Sequence, residues 1–123
     1  MKKIILIIAI LICGFCDAQD FINKDNFSDK IAKDIVTIEF WAGWNAQNEF
    51  KELTKLKDCN TYRVDITLNM EIQSKYNVSA IPTIIIFDNG KEVYRFEAGI
   101  AFTLEASKSD VQGKIDEIQM LKF

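Results

Sequence analysis

The sequence of 123 residues contains no histidine, one proline and three cysteines. The absence of histidine excludes Ser-His-Asp and Cys-His catalysis, and it also excludes zinc sites built on histidine. Acid–base chemistry would therefore fall to carboxylates, lysine, tyrosine or cysteine. Acidic residues outnumber basic ones, giving a net charge of −3 without a basic stripe, so nucleic acid is not an expected partner.

The first eighteen residues have the pattern of a bacterial-type secretory signal peptide. A pair of lysines precedes an apolar run from Ile4 to Ile12, and small residues favour cleavage after Ala18. The run is too short to span a bilayer, although a membrane anchor is the alternative. We expect residues 1–18 to be removed and residues 19–123 to form one domain. That domain would be exported, periplasmic or extracellular, with no stable insertion in the membrane.

The cysteines offer little redox chemistry. Cys13 and Cys16 form a C-x-x-C pattern, but it lies in the segment that we expect to be removed. Cys59 would then be alone, so no internal disulfide is expected. A free cysteine is often a small buried apolar residue, and we expect this of Cys59. The alternative is an exposed thiol whose pKa is lowered by Lys57.

The apolar pattern predicts an α/β chain with four strands. The predicted strands are Ile35–Phe40, Thr61–Ile66, Ile84–Phe87 and Glu92–Ala98. Helices are expected before the first strand, from about residue 46 to Lys57, over Asn69–Tyr76, and from a cap at Ser107 or Ser109 to Met120. A helix between successive strands predicts parallel crossovers, and the Asn-Gly turn before the fourth strand predicts an antiparallel edge. The result would be a mixed central sheet with helices on both faces.

The single proline, Pro82, stands directly before the third predicted strand. Proline cannot donate to the ladder of a central strand, so it marks the entry to that strand. The bond between Ile81 and Pro82 is also the kind of bond in which a cis peptide is least costly.

Several spaced motifs together resemble the thioredoxin family over residues 21–120. They are Glu39-Phe40-Trp41-Ala42-Gly43-Trp44, Arg63-Val64-Asp65, the segment from Tyr76 to Thr83, and Asn89-Gly90-Lys91 with Gly99. The resemblance implies a thioredoxin-like three-layer sandwich and a cis bond before Pro82. It also implies that the proline faces the family's redox motif.

The sequence departs from the family at that redox motif. Where the family has C-x-x-C, residues 45–48 read Asn-Ala-Gln-Asn, so no thiolate and no resolving thiol are present. We therefore predict a degenerate site without catalytic residues, in which Asn45 and Asn48 cap the following, shortened helix. The alternative is that their amides bind a peptide carbonyl.

The remaining site residues follow from the resemblance. Glu39 takes the place of the family's buried acid, which implies a pKa raised by desolvation; exposure, or a bond to Lys55 or Lys57, is the alternative. The family binds extended polypeptide around its proline loop, which implies a similar binding surface here. The predicted contacts are Trp44, Ala46, Gln47, Ile81, Pro82, Gly99 and Ile100.

Together these features predict an exported protein-binding or chaperone-like module of the thioredoxin fold. We expect it to lack dithiol–disulfide oxidoreductase activity, and the sequence indicates neither a cofactor nor a metal. The first alternative is a thiol-redox protein that acts through Cys59 alone. The second is a structural domain in an envelope assembly.

Overall fold

A computed structural model describes residues 19–122 of the chain. The predicted signal peptide and its C-x-x-C pattern lie outside the described residues. The four strands are β1 (Ile35–Trp41), β2 (Asn60–Asp65), β3 (Thr83–Asp88) and β4 (Lys91–Glu97). The α-helices are α1 (Phe27–Ile31), α2 (Met70–Lys75) and α3 (Lys108–Met120), and two 3₁₀ helices span Gly43–Asn48 and Leu53–Lys55.

The strands form one mixed sheet in the order β2-β1-β3-β4. β1 and β2 are parallel, whereas β1 pairs antiparallel with β3 and β3 pairs antiparallel with β4. Phe21 adds a parallel bridge to Arg63 on β2, so the extended start of the domain lies along the edge of the sheet. The predicted mixed α/β sheet is confirmed.

The prediction of a parallel crossover into β3 was wrong. The strand register gives the reason: β1 is parallel to β2 and antiparallel to β3, so β3 starts at the end of the sheet where β2 stops. The connection that contains the six residues of α2 therefore begins and ends at the same end of the sheet.

Helices cover both faces of the sheet, as predicted. β1 is buried along six of its seven residues, because alternate side chains enter two different cores. One core packs Val36, Ile38 and Phe40 with α1 and α2. The other core packs Ile35 of β1 and apolar residues of β3 against α3 and the segment that contains the second 3₁₀ helix.

The prediction of an α-helix between β1 and β2 was wrong. Its apolar residues Phe50, Leu53 and Leu56 are buried, but they repeat every three residues, which is the period of a 3₁₀ helix rather than an α-helix. The chain accordingly forms two short 3₁₀ turns separated by irregular backbone. The end of β1 therefore leads into a turn, with no α-helix N-terminus beside it.

The last helix begins as its sequence suggests. The Ser107 hydroxyl accepts the backbone N–H of Asp110, and the Asp110 carboxylate accepts the backbone N–H of Ser107 in return. This reciprocal capping box selects Ser107 over Ser109 as the cap. None of the helices within residues 19–122 is long and apolar enough to cross a membrane.

Candidate functional site

The side chain of Asn45 is the centre of the region after β1. It is only 6% exposed, and its Nδ2 donates to the carbonyl oxygens of Ile81 at 3.2 Å and Phe102 at 3.0 Å. Its Oδ1 accepts the Nδ2 of Asn48 at 2.8 Å. Both backbone partners are carbonyl oxygens, which can only accept a hydrogen bond. The Asn45 side chain must therefore point its NH₂ group, and not its oxygen, toward them. One side chain thus joins the first 3₁₀ helix to two other loops.

The prediction that the two asparagines cap a helix was wrong. The first 3₁₀ helix has Ala42 at its N-cap and no side-chain cap, and the amides of Asn45 and Asn48 bond to each other. Both donor hydrogens of Asn45 are already engaged within the protein. Asn45 therefore has no unused donor for the peptide carbonyl that was the alternative.

The loop around Pro82 faces Asn45. The Ile81–Pro82 bond is cis, as the resemblance implies, and the Pro82 carbonyl accepts the N–H of Ala98 at 3.1 Å. Ile81 is only 3% exposed and belongs to a hydrophobic core, and Pro82 is also buried. Neither side chain forms the exposed apolar contact that the sequence predicted. The carbonyl oxygens of Ile81 and Pro82 both accept hydrogen bonds from within the protein.

Three apolar side chains are exposed beside this loop. Trp44 is 63% exposed, Phe102 is 41% exposed, and Ile100 is fully exposed. The rings of Trp44 and Phe102 meet edge to face, with centroids 5.3 Å apart. We call these three residues the Trp44 surface. Phe102 was missed from the sequence, since a lone aromatic in an irregular loop carries no periodic signal.

The other predicted contacts lie in the loop before Phe102 and in the first 3₁₀ helix. The Gly99 carbonyl accepts the N–H of Phe102 at 3.0 Å, and the Gly99 N–H donates to the Thr103 carbonyl at 3.3 Å. Gln47 is exposed and Ala46 is half-buried in the first 3₁₀ helix. Gly99 shapes the loop that carries Phe102, whereas Gln47 is exposed to solvent on the 3₁₀ helix.

Glu39 is fully buried and pairs with Arg63, its register neighbour on β2. The Arg63 Nε and Nη2 atoms donate to Glu39 Oε1 at 3.0 and 2.8 Å, and the N–H of Phe50 donates to Oε2 at 2.8 Å. Arg63 Nη2 also donates to the Phe50 carbonyl. The alternative bond to Lys55 or Lys57 was therefore wrong, and Arg63 is a partner that the sequence reading did not identify.

Burial raises the pKa of Glu39, while Arg63 and the Phe50 N–H oppose that shift. The expected direction is confirmed. Glu49 extends the network, because its carboxylate accepts the Trp41 Nε1–H at 2.9 Å and lies 3.7 Å from Arg63. This network holds residues 49–50, between the two 3₁₀ helices, against the strands.

Cys59 lies at the other end of the sheet. It immediately precedes β2, whereas Asn45 and Pro82 lie where β1 ends and β3 begins. Burial raises the pKa of the Cys59 thiol; a hydrogen bond from Thr37 Oγ1, at 3.5 Å, lowers it, and the charge of Asp58 raises it. The alternative that Lys57 lowers this pKa was therefore wrong.

A mixed four-stranded sheet between two helical layers, with a proline loop facing the turn after its central strand, defines the thioredoxin-like class of α/β proteins. The thioredoxin family model matches residues 19–110. The chain belongs to the thioredoxin family.

Curated relatives and solved structures agree with this assignment. The chain is 37% identical over 82 residues to a thioredoxin of Chlamydia trachomatis, a match that covers 60% of this chain and 78% of the relative. It is 29% identical over 92 residues to human protein disulfide-isomerase A6, covering 63% of this chain and 21% of that protein. The solved structure of a point mutant of a thioredoxin from Halobacterium salinarum superposes with a TM-score of 0.67 at 19% identity, covering 82% of this chain and 90% of that one. This last likeness supports the fold alone.

Proposed function

We propose that this protein is an exported member of the thioredoxin family that binds polypeptide through the Trp44 surface and does not exchange disulfides. The observation that carries the proposal is the state of Asn45. It stands where the family's first cysteine is expected, yet it is buried and fully hydrogen-bonded to surrounding loops. The Asn45 side chain therefore holds together the loops that contain Ile81 and Phe102, beside the exposed aromatic residues.

The chemistry of the site supports the absence of dithiol exchange. Exchange requires a thiolate, and a second thiol to resolve the mixed disulfide, whereas an amide attacks no disulfide. Within residues 19–122, Cys59 is the only cysteine. Its raised pKa and its place at the opposite end of the sheet argue against the thiol-redox alternative.

The Trp44 surface supports polypeptide as the ligand. Aromatic residues are enriched in protein interfaces because they bury a large apolar area with few rotatable bonds. Here the exposed rings of Trp44 and Phe102 are in contact, and the fully exposed Ile100 lies two residues before Phe102 in the same loop. The apolar side chains of an unfolded polypeptide match such a surface.

Export rests on the N-terminal sequence pattern. If residues 1–18 are removed as predicted, mass spectrometry of protein from the cell envelope or culture medium will give a mature chain that begins at Gln19. A full-length chain in the cytoplasm would contradict the proposed location while leaving the binding proposal intact.

The binding proposal is tested with dye-labelled, reduced and carboxymethylated α-lactalbumin, a permanently unfolded polypeptide, followed by fluorescence anisotropy. Trp44→Ala should weaken binding by about tenfold or more, since interface tryptophans often contribute about 2 kcal/mol or more. Leu121→Ala is the matched control, because Leu121 is 80% exposed just beyond the end of α3. Equal affinities for the wild type and both variants would refute the Trp44 surface as the binding site.

A disulfide-reductase assay with insulin tests the other half of the proposal. The chain from Gln19 should show no turnover above that of its Cys59→Ser variant. Appreciable turnover that is lost in Cys59→Ser would favour the thiol-redox alternative.

A further inference from the structure

We propose that Asn45 is a latch that competes with bound polypeptide for the Ile81 carbonyl. The inference rests on the proposed function and adds a mechanism that regulates binding at the same site. In the structure, Asn45 Nδ2 donates hydrogen bonds to the carbonyl oxygens of both Ile81 and Phe102. The Asn45 latch is this side chain with its two acceptors.

The latch occupies the backbone that a peptide would use. Ile81 precedes β3 and has no place in the strand ladder, and its carbonyl accepts a side-chain amide instead. A peptide N–H is the same kind of donor as the Asn45 amide. A peptide strand beside the Trp44 surface can therefore replace Asn45 as the donor to this oxygen, and Asn45 gives up its own hydrogen bond when it does so.

The latch also fixes the aromatic part of the surface. Phe102 has φ of 59°, a left-handed conformation that is unfavourable for a bulky side chain. Its carbonyl is held by Asn45 and its ring contacts Trp44. Releasing Asn45 would therefore remove one of the contacts that keep Phe102 in this conformation. Polypeptide binding and movement of the loop 99–103 would be coupled through one amide.

Two variants and one spectrum test the latch with the same labelled α-lactalbumin. Asn45→Ala should bind the probe about three- to tenfold tighter than the wild type, because one hydrogen bond no longer has to be displaced. Asn60→Ala is the matched control, since Asn60 is exposed at the start of β2, far from the latch. Its affinity should equal that of the wild type.

The spectrum uses the wild-type chain, so the test does not depend on whether Asn45→Ala folds. When the probe is titrated into ¹⁵N-labelled protein, the Asn45 side-chain amide signals and the Trp44 indole N–H signal should shift together and saturate at the same probe concentration. If the Trp44 signal shifts while the Asn45 signals stay fixed, or if folded Asn45→Ala binds no tighter than the wild type, the latch is refuted and the proposed function stands. If neither signal shifts and no variant binds, both are refuted.

Discussion

Replacing Arg63 by methionine should destabilise the protein by an amount that grows with pH. Arg63 makes two hydrogen bonds to the fully buried Glu39 and one to the Phe50 carbonyl. Methionine fills a similar volume but supplies neither the charge nor the donors. Glu39 would retain only the Phe50 N–H as a partner.

The magnitude follows from the burial of the pair. Removing one partner of a buried ion pair costs about 3–5 kcal/mol, because the other charge remains uncompensated. Arg63 and Glu39 have side chains that are only 8% and 0% exposed, so this range applies. Arg95→Met is the matched control: Arg95 pairs with Glu92 at a more exposed site, where a pair contributes about 1 kcal/mol or less.

The pH dependence has a definite sign. Burial raises the pKa of Glu39 above its unfolded value. Between the unfolded and the folded pKa, the folded chain therefore keeps a proton that the unfolded chain has released. The contribution of Glu39 to the free energy of unfolding is therefore fully present below the unfolded pKa, and it is lost as the pH rises through the folded pKa. Without Arg63, the pKa of Glu39 rises further and the loss extends to higher pH, with a slope of at most about 1.4 kcal/mol per pH unit.

Urea unfolding of the chain from Gln19, followed by circular dichroism from about pH 5 to pH 8, measures this cost. The difference between the wild type and Arg63→Met should widen with pH, whereas the Arg95→Met difference should stay nearly constant. Adding Glu39→Gln to Arg63→Met should remove the widening. A cost for Arg63→Met that is below about 1 kcal/mol, or that does not change with pH, would refute the reasoning.

Three further predictions concern other parts of the chain. In the double variant Asn45→Cys and Asn48→Cys, the neighbouring side chains should allow a disulfide. Without an α-helix N-terminus, the thiol pKa should not fall below its ordinary value of about 8.5. Insulin reduction as fast as that of a C-x-x-C thioredoxin assayed in parallel would contradict this. Cys59 should react with a thiol reagent at about pH 7.5 more slowly in the folded chain than in urea, since burial raises its pKa, and equal rates would show that the thiol is not shielded. Ser107→Ala should cost about 1 kcal/mol in urea unfolding through loss of the cap, against about 0.5 kcal/mol or less for Ser109→Ala, and equal costs would contradict the capping assignment.

The sequence predicted the parts of the fold in which local pattern and burial agree. The β-branched run of β1 enters two cores, so its lack of alternation correctly indicated a strand buried on both faces. The Asn-Gly turn correctly indicated the hairpin, because Asn89 and Gly90 both adopt the positive φ that such turns require.

The sequence could not predict features that depend on distance between segments. The run through Phe50, Leu53 and Leu56 has the three-residue spacing of a 3₁₀ helix, but that spacing does not show that the backbone between the two 3₁₀ helices is irregular. The partner of Glu39 depended on strand register, and the residues next to Glu39 in sequence gave no indication of Arg63. The contacts of Asn45 join residues 36 and 57 positions away, which no local pattern reports.

Two polar residues at family positions now have structural roles on opposite sides of the same segment. Asn45 holds the beginning of the 43–56 segment to the loops around Ile81 and Phe102, and Glu39 with Arg63 holds its middle to the sheet through Phe50. In a segment that forms two short 3₁₀ helices and no α-helix, these buried hydrogen bonds attach the segment to the rest of the fold. Neither group is then available for proton or thiol chemistry. The large apolar side chains exposed at this end are Trp44, Ile100 and Phe102, which favours the proposed binding at the Trp44 surface over catalysis.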